Sequence, residues 1–117
     1  MRTHPALATA VLAGWILATP PTDYDALRAF ARMKTWAKGE SAPEMVRVNA
    51  PRKEWDNLRA FDTADACEHA RQQRKDAPAT FPLVGTGAPP TDYEVFENMV
   101  YQGNQRAECL DASVFGH

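Results

Sequence analysis

Two cysteines, Cys67 and Cys109, constrain the fold of this 117-residue chain more than any other feature. In an oxidising compartment they would form one disulfide that closes a loop of about 43 residues, which the chain-entropy treatment credits with about 4 kcal/mol of stabilisation. A small domain has only about 5–15 kcal/mol in total. In a reducing compartment the same residues would be two buried thiols that pack as small hydrophobic side chains. The compartment therefore decides how the fold is held together.

A more specific interpretation of the cysteines is a metal site with Cys67, His69, Cys109 and His117 as ligands. Residues two apart on a helix point about 200° away from each other, so Cys67 and His69 cannot share one tetrahedral metal. The same geometry disfavours a nucleophilic Cys–His pair. We predict no metal site, no cofactor and no catalytic cysteine.

The N-terminal segment resembles an export signal. Residues 5–18 carry no ionisable side chain and follow Arg2 and His4. As a helix this stretch would span about 20 Å, too short for a hydrocarbon core of about 30 Å. A basic start, an apolar run and small residues at 8–10 are typical of a signal, while an uncleaved anchor over 5–21 or a buried first element are the alternatives. Export predicts a location in the periplasm or cell envelope.

The pentapeptide PPTDY occurs at 20–24 and again at 89–93, and each copy predicts the start of a helix. The threonine would accept from a backbone N–H of the first turn while the acid three residues later reaches back. The sequence that follows each copy differs, so no repeat is indicated. The predicted capping residues, with a similar cap before the middle helix, are Thr22, Asp25, Asp62, Thr91 and Glu94.

Periodicity and turn residues predict an α+β domain. A small antiparallel sheet with strands near 14–19, 54–61 and 106–111 would be packed by helices over 23–38, 63–75 and 92–101. Residues 14–117 would form this single domain, and residues 1–13 would be a signal remnant or an anchor.

Three blocks of the sequence resemble an uncharacterised family of small exported bacterial proteins. The family's GWYLMxPP, SFDTxxxCE and ARCVxSD motifs are similar to Gly14–Pro21, Phe61–Glu68 and Ala107–Ser113. The resemblance implies that the first block is a strand whose tryptophan packs inward, and that the two cysteines form a disulfide. It implies no activity and supplies no catalytic residue.

Charge and composition favour a protein partner over nucleic acid. The net charge of −2 gives no positive field for a polyanion. Aromatic and methionine side chains are numerous for so short a chain, and those left outside the core would form an interface. A non-catalytic binding module, or an accessory subunit of a larger assembly, is the function we expect. The expected interface residues are Met33, Trp36, Phe96, Met99 and Tyr101.

Two other functions remain open from the sequence. The first is a small hydrolase using Asp62, Asp65 and Glu68 around His69, because Asp65 and His69 are four residues apart on the predicted helix 63–75. The second is a membrane-anchored small subunit that retains its apolar N-terminus, with membrane proximity through residues 5–18. The sequence leaves open whether the protein is an enzyme, although it leans towards a non-catalytic role.

Overall fold

The computed structural model describes residues 14–116, which contain a three-stranded antiparallel sheet packed by helices. The strands are β1 (Trp15–Thr19), β2 (Asp56–Phe61) and β3 (Glu108–Asp111), in the order β2-β1-β3. The predicted α+β class, the antiparallel sheet and the three helices are confirmed. The second and third strands begin two residues later than predicted, because Arg52–Glu54 is a 3-10 turn and Ala107 packs into the core before β3 starts.

The central position of β1 explains its apolar sequence. Residues Trp15 to Leu17 pair with Phe61 to Arg59 of β2 on one side, and Leu17 pairs with Cys109 of β3 on the other. Leu17 and Ala18 point to opposite faces of the sheet, and both are fully buried. The segment from 15 to 19 thus belongs to the domain. The predictions of an export signal and of an anchor now concern only residues 1–13, which lie outside the described residues.

A β-bulge interrupts the pairing of β1 with β2. Leu17 lies opposite Arg59 and Ala18 lies opposite Asn57, so Leu58 is an extra residue on β2. The insertion changes the alternation of side chains along β2. As a result Asp56 and Arg59, which pair with Thr19 and Leu17, share the face of the sheet that carries Leu17.

The disulfide between Cys67 and Cys109 is present, as predicted. It joins the first turns of the middle helix to β3 across a Cα–Cα distance of 6.0 Å. Cys67 is fully buried and packs with Leu17 and Ala107 on one face of the sheet, and Trp15 is partly buried against this cluster. The bond therefore ties a helix to the sheet at the centre of a hydrophobic cluster.

The opposite face of the sheet is covered by the loop before β2. Trp55 and Ala50 pack on Ala18, and the Trp55 Nε1–H donates to the carbonyl of Ala50 at 3.0 Å. Arg52 lies over the Trp55 ring and donates two hydrogen bonds to the Glu108 carboxylate, at 2.8 and 3.0 Å. This paired geometry anchors the loop to β3.

Three helices complete the architecture: α1 (Tyr24–Ala31), α2 (Ala64–Asp76) and α3 (Asp92–Gln105). α2 packs against all three strands, and α1 and α3 pack on each other. A second core lies between α1, α3 and the intervening loops. It contains Phe30, Trp36, Met45 and Val95.

The first helix is seven residues shorter at its C-terminus than predicted. It ends at Ala31, and the chain then turns so that the Trp36 ring meets Phe30 edge-on at 5.0 Å. The Trp36 N–H donates to Ala88 and its carbonyl accepts from Gly87. These contacts across the chain replace the helical hydrogen bonds that residues 33–38 would otherwise form.

Gly85 lies where two loops meet at very short range. Its N–H donates to Glu40 at 2.8 Å, and its carbonyl accepts from Gly39 at 3.0 Å. A Cβ atom at Gly85 would lie 2.0 Å from the carbonyl oxygen of Ala37. Only glycine permits this approach of two backbones.

The third helix is longer than predicted, because Gly103 lies inside it and does not end it. Gly103 is buried, and a Cβ there would make an ordinary contact with Thr19 at 3.7 Å. Gln105 donates to the C-terminal carbonyl of Lys75 in α2 at 2.9 Å. Packing against the sheet and this bond to α2 hold the last turn.

The structure corrects two of the three predicted helix caps. Asp23, not Thr22, caps α1 by accepting from the Ala26 N–H at 3.1 Å, because the Asp23 N–H is fixed by a 2.8 Å bond to Met45. The Thr22 hydroxyl instead contacts the Met99 sulfur at 3.5 Å.

The other two helices are capped by threonine. Thr63, not Asp62, caps α2 and accepts from the Ala66 N–H at 3.1 Å. At α3 the structure contains the full capping box, in which Thr91 accepts from the Glu94 N–H at 3.1 Å and Glu94 accepts from the Thr91 N–H at 2.9 Å. Asp25, predicted as a cap residue, pairs with Arg28 on the surface.

Candidate docking surface on the third helix

The five predicted interface residues do not form one surface. Trp36 is 1% exposed and belongs to the core, so its assignment to an interface was wrong. Met33 and Met99 are half-buried against the same core cluster, and Tyr101 packs edge-on to Phe81 at 6.0 Å. Phe96 alone among the five is exposed, to 55%.

Phe96 belongs to an outward-facing stripe of α3 formed with Tyr93 and Val100. These residues are three and four positions apart, so they share one face of the helix. Tyr93 is 58% exposed and Val100 is half-buried, whereas Val95 and Asn98 on the inner side are buried. We call Tyr93, Phe96 and Val100 the α3 surface.

Polar side chains on the inner side hold α3 in place. Asn98 donates to the carbonyl of Pro82 at 3.0 Å, and Gln102 donates to Pro43 at 2.8 Å. The Gln102 side-chain oxygen also accepts from the Met45 N–H at 2.6 Å. The helix is thus fixed to two loops and presents the α3 surface on a rigid support.

Two hollows flank the C-terminal end of the α3 surface. The first, of about 150 Å³, has mainly apolar walls that include Leu58, Met99, Val100 and Gly103. The second, of about 120 Å³, lies against Phe81 and Tyr101. Val100, Asn104 and Arg74 line both hollows, so the two are neighbours. The α3 surface therefore combines a projecting ring with adjacent concave space.

The charges around the α3 surface differ from one end to the other. Asp92, Glu94 and Glu97 occupy the first half of α3, where the helix dipole favours acids near the N-terminus. Arg74, at the end of α2, donates to the Asn104 side chain at 3.1 Å. The surface is acidic at the start of α3 and carries a cation beside the hollows.

The residues of the hydrolase alternative lie elsewhere, on α2. Glu68 pairs with Arg71, and this hydrogen bond raises the pKa of the guanidinium. Asp65 and His69 are exposed, and within residues 14–116 neither side chain forms a hydrogen bond. His69 lines neither of the hollows beside α3. The Asp65–His69 pair therefore lies outside the two hollows beside α3.

Between residues 14 and 116, no three His, Cys, Asp or Glu side chains are grouped so that they could hold a metal ion. No helix in the same range has the length and apolar character to cross a bilayer. Comparison with family models, with curated proteins and with solved structures found no match.

Sequence reasoning missed Tyr93 and Val100, although a signal for them was present. The spacing Tyr93, Phe96, Val100 is an apolar stripe with helical period, and it lies on a different face from Val95 and Met99. Two apolar stripes on one helix indicate that only one of them packs inward. Which one does so depends on the neighbours of α3, and the core residues Phe30, Trp36 and Met45 supply them.

Proposed function

We propose that the protein is an exported, non-catalytic binding protein of the periplasm or cell envelope, which acts by docking a protein on the α3 surface. The observation that carries the proposal is the exposure of Phe96 and Tyr93, to 55% and 58%, on a helix whose opposite side is buried. Aromatic side chains are the residues that most often dominate the binding energy of protein interfaces. Such a protein would act as a binding module or an accessory subunit of a larger assembly.

The disulfide supports the exported location. Disulfides form and persist outside the cytosol, and Cys67–Cys109 joins a helix to the sheet within a buried cluster. The apolar N-terminal sequence and the resemblance to small exported proteins agree with this compartment. Mass spectrometry of the mature N-terminus from the native host should show cleavage before β1, and recovery of the uncleaved chain from the cytosolic fraction would contradict export.

Docking is tested by site-specific photo-crosslinking in the native host. A photoreactive amino acid at position 96 should yield a discrete protein adduct, because this side chain would lie inside the contact. Tyr24 is the matched control, since it is an aromatic residue exposed to 64% on a different helix. An absence of adducts from position 96, or equal adducts from positions 96 and 24, would contradict docking on the α3 surface.

A further inference from the structure

The α3 surface has a shape that fits a copy of itself. We infer that two chains associate through their α3 helices in antiparallel orientation, each Phe96 entering the first hollow of the other copy. The inference rests on the proposed function, because it names the partner of the same surface. A two-fold axis makes such an interface isologous, so each contact occurs twice.

The positions along α3 allow both rings to insert at once. The helix contributes Met99, Val100, Gly103 and Asn104 to the first hollow, one to two turns beyond Phe96. This is a separation of about 5–11 Å along the helix axis. If the two-fold axis passes between the two α3 helices, level with the midpoint between ring and hollow, each Phe96 lies level with the hollow of the opposite copy.

The size and walls of the hollow suit an aromatic ring. A cavity of about 150 Å³ with apolar walls accommodates benzene, and the first hollow has about this volume. Leu58 from β2 lines this hollow together with Val100 and Gly103 of α3. Leu58 is itself 39% exposed, so insertion would bury two apolar groups together.

The charges favour the antiparallel orientation. Glu97 and Arg74 line the second hollow, and within residues 14–116 neither belongs to an ion pair. Antiparallel pairing about the same axis brings Glu97 of one copy to the level of Val100 in the other, within one helical turn of Asn104, which binds the Arg74 guanidinium. Parallel pairing would place the two Glu97 carboxylates side by side, which is unfavourable. The surface is thus self-complementary in shape and in charge.

The test is the mass of the purified mature protein by analytical ultracentrifugation over a range of concentrations. Wild-type protein should rise from the mass of one chain to that of two. Phe96→Ser should raise the dissociation constant by about tenfold or more, as expected for a central aromatic anchor. Tyr24→Ser removes an equally exposed aromatic ring from α1 and should leave the dissociation constant unchanged. Both side chains point outward, and circular dichroism would verify that both variants fold.

A charge exchange tests the orientation independently. Glu97→Arg and Arg74→Glu should each weaken association, because each places like charges across the interface. The double variant should recover the wild-type dissociation constant to within about threefold, since close charge pairs couple across interfaces. Failure of the double variant to recover association would overturn the antiparallel arrangement.

The outcomes separate this inference from the proposed function. A wild-type mass of one chain at every concentration, or a dimer unaffected by Phe96→Ser, would overturn self-association through α3. A crosslinked adduct from position 96 that contains a different protein would, together with a monomeric mass, leave docking on the α3 surface intact. An adduct with the mass of two chains supports both docking on the α3 surface and self-association through it.

Discussion

Gly85 is a residue at which any side chain should be poorly tolerated. A methyl group there would lie 2.0 Å from the Ala37 oxygen and 2.5 Å from the Trp36 oxygen, so the backbones of two loops would have to separate. We expect Gly85→Ala to lower the free energy of unfolding by about 1–3 kcal/mol. Urea denaturation followed by tryptophan fluorescence measures the change.

Gly103→Ala is the matched control and should act in the opposite direction. Gly103 lies inside α3, and its added methyl group would only contact Thr19 at 3.7 Å. Replacing glycine by alanine within a helix stabilises it by about 0.5–1 kcal/mol. Equal destabilisation by both substitutions would show that close backbone approach is not what distinguishes Gly85.

Single residues were predictable where the chemistry was local. Thr91 and Glu94 lie three apart and satisfy each other's backbone donors, so their pairing needs no contact from elsewhere in the chain. The choice between Thr22 and Asp23 depends on the bond from Asp23 to Met45, which is 22 residues away. The burial of Trp36 likewise depends on a loop near residue 88 that the local sequence does not reveal.

At the scale of the element, the start of α2 allows two adjacent candidate N-cap residues, Asp62 and Thr63, to be compared. Thr63 accepts from the Ala66 N–H, whereas Asp62 is exposed and precedes the cap. Thr63→Ala should therefore lower the free energy of unfolding by about 1 kcal/mol, the usual loss for an N-cap. Thermal or urea denaturation of the two alanine variants gives the comparison.

Asp62→Ala should change the stability by less than about 0.5 kcal/mol, as for other surface substitutions. The two substitutions lie next to each other at the same helix end, so differences in helix propensity and location are small. A larger loss for Asp62→Ala than for Thr63→Ala would mean that the aspartate caps the helix in solution.

The existence of each helix and strand followed from the sequence, but several ends did not. Apolar periodicity continues through residue 37, yet α1 ends at Ala31 because the backbone of Trp36 pairs with residues 87 and 88. Glycine commonly marks the end of a helix, yet α3 continues past Gly103 because the Gln105 side chain bonds to α2. In both cases a contact between distant segments outweighs a local preference.

At the scale of the whole molecule, the disulfide is a large contribution to stability that can be removed separately. Without it the unfolded chain gains the freedom of a loop of about 43 residues, which corresponds to about 4 kcal/mol. The double variant Cys67→Ala, Cys109→Ala should lose about that much stability. Denaturation by guanidinium chloride, with reduced wild-type protein as a second reference, measures it.

Counting the free thiols in protein from the native host tests whether the chain lies in an oxidising or a reducing compartment. Denatured, unreduced protein should show no free thiol, since both cysteines belong to the disulfide. Two free thiols would place the chain in a reducing environment, and the stability change on Cys→Ala substitution would then reflect lost packing alone.

The fold class was predictable because it rests on composition, periodicity and one covalent link. The α3 surface was only partly predictable, because Phe96 was selected by residue type while Tyr93 and Val100 depend on which side of α3 faces the core. Helical period reveals two apolar sides of α3, and the packing of Val95 against Phe30, Trp36 and Met45 decides between them.

The extra residue at Leu58 also affects how copies of the chain behave when crowded. β2 is an outer strand, and an outer strand with regular pairing groups can recruit the same strand of another molecule into a growing fibril. The irregular spacing at Leu58, with the cation of Arg59 directly after it, interrupts such templating. The β2 edge of the sheet should for this reason resist recruitment into amyloid fibrils.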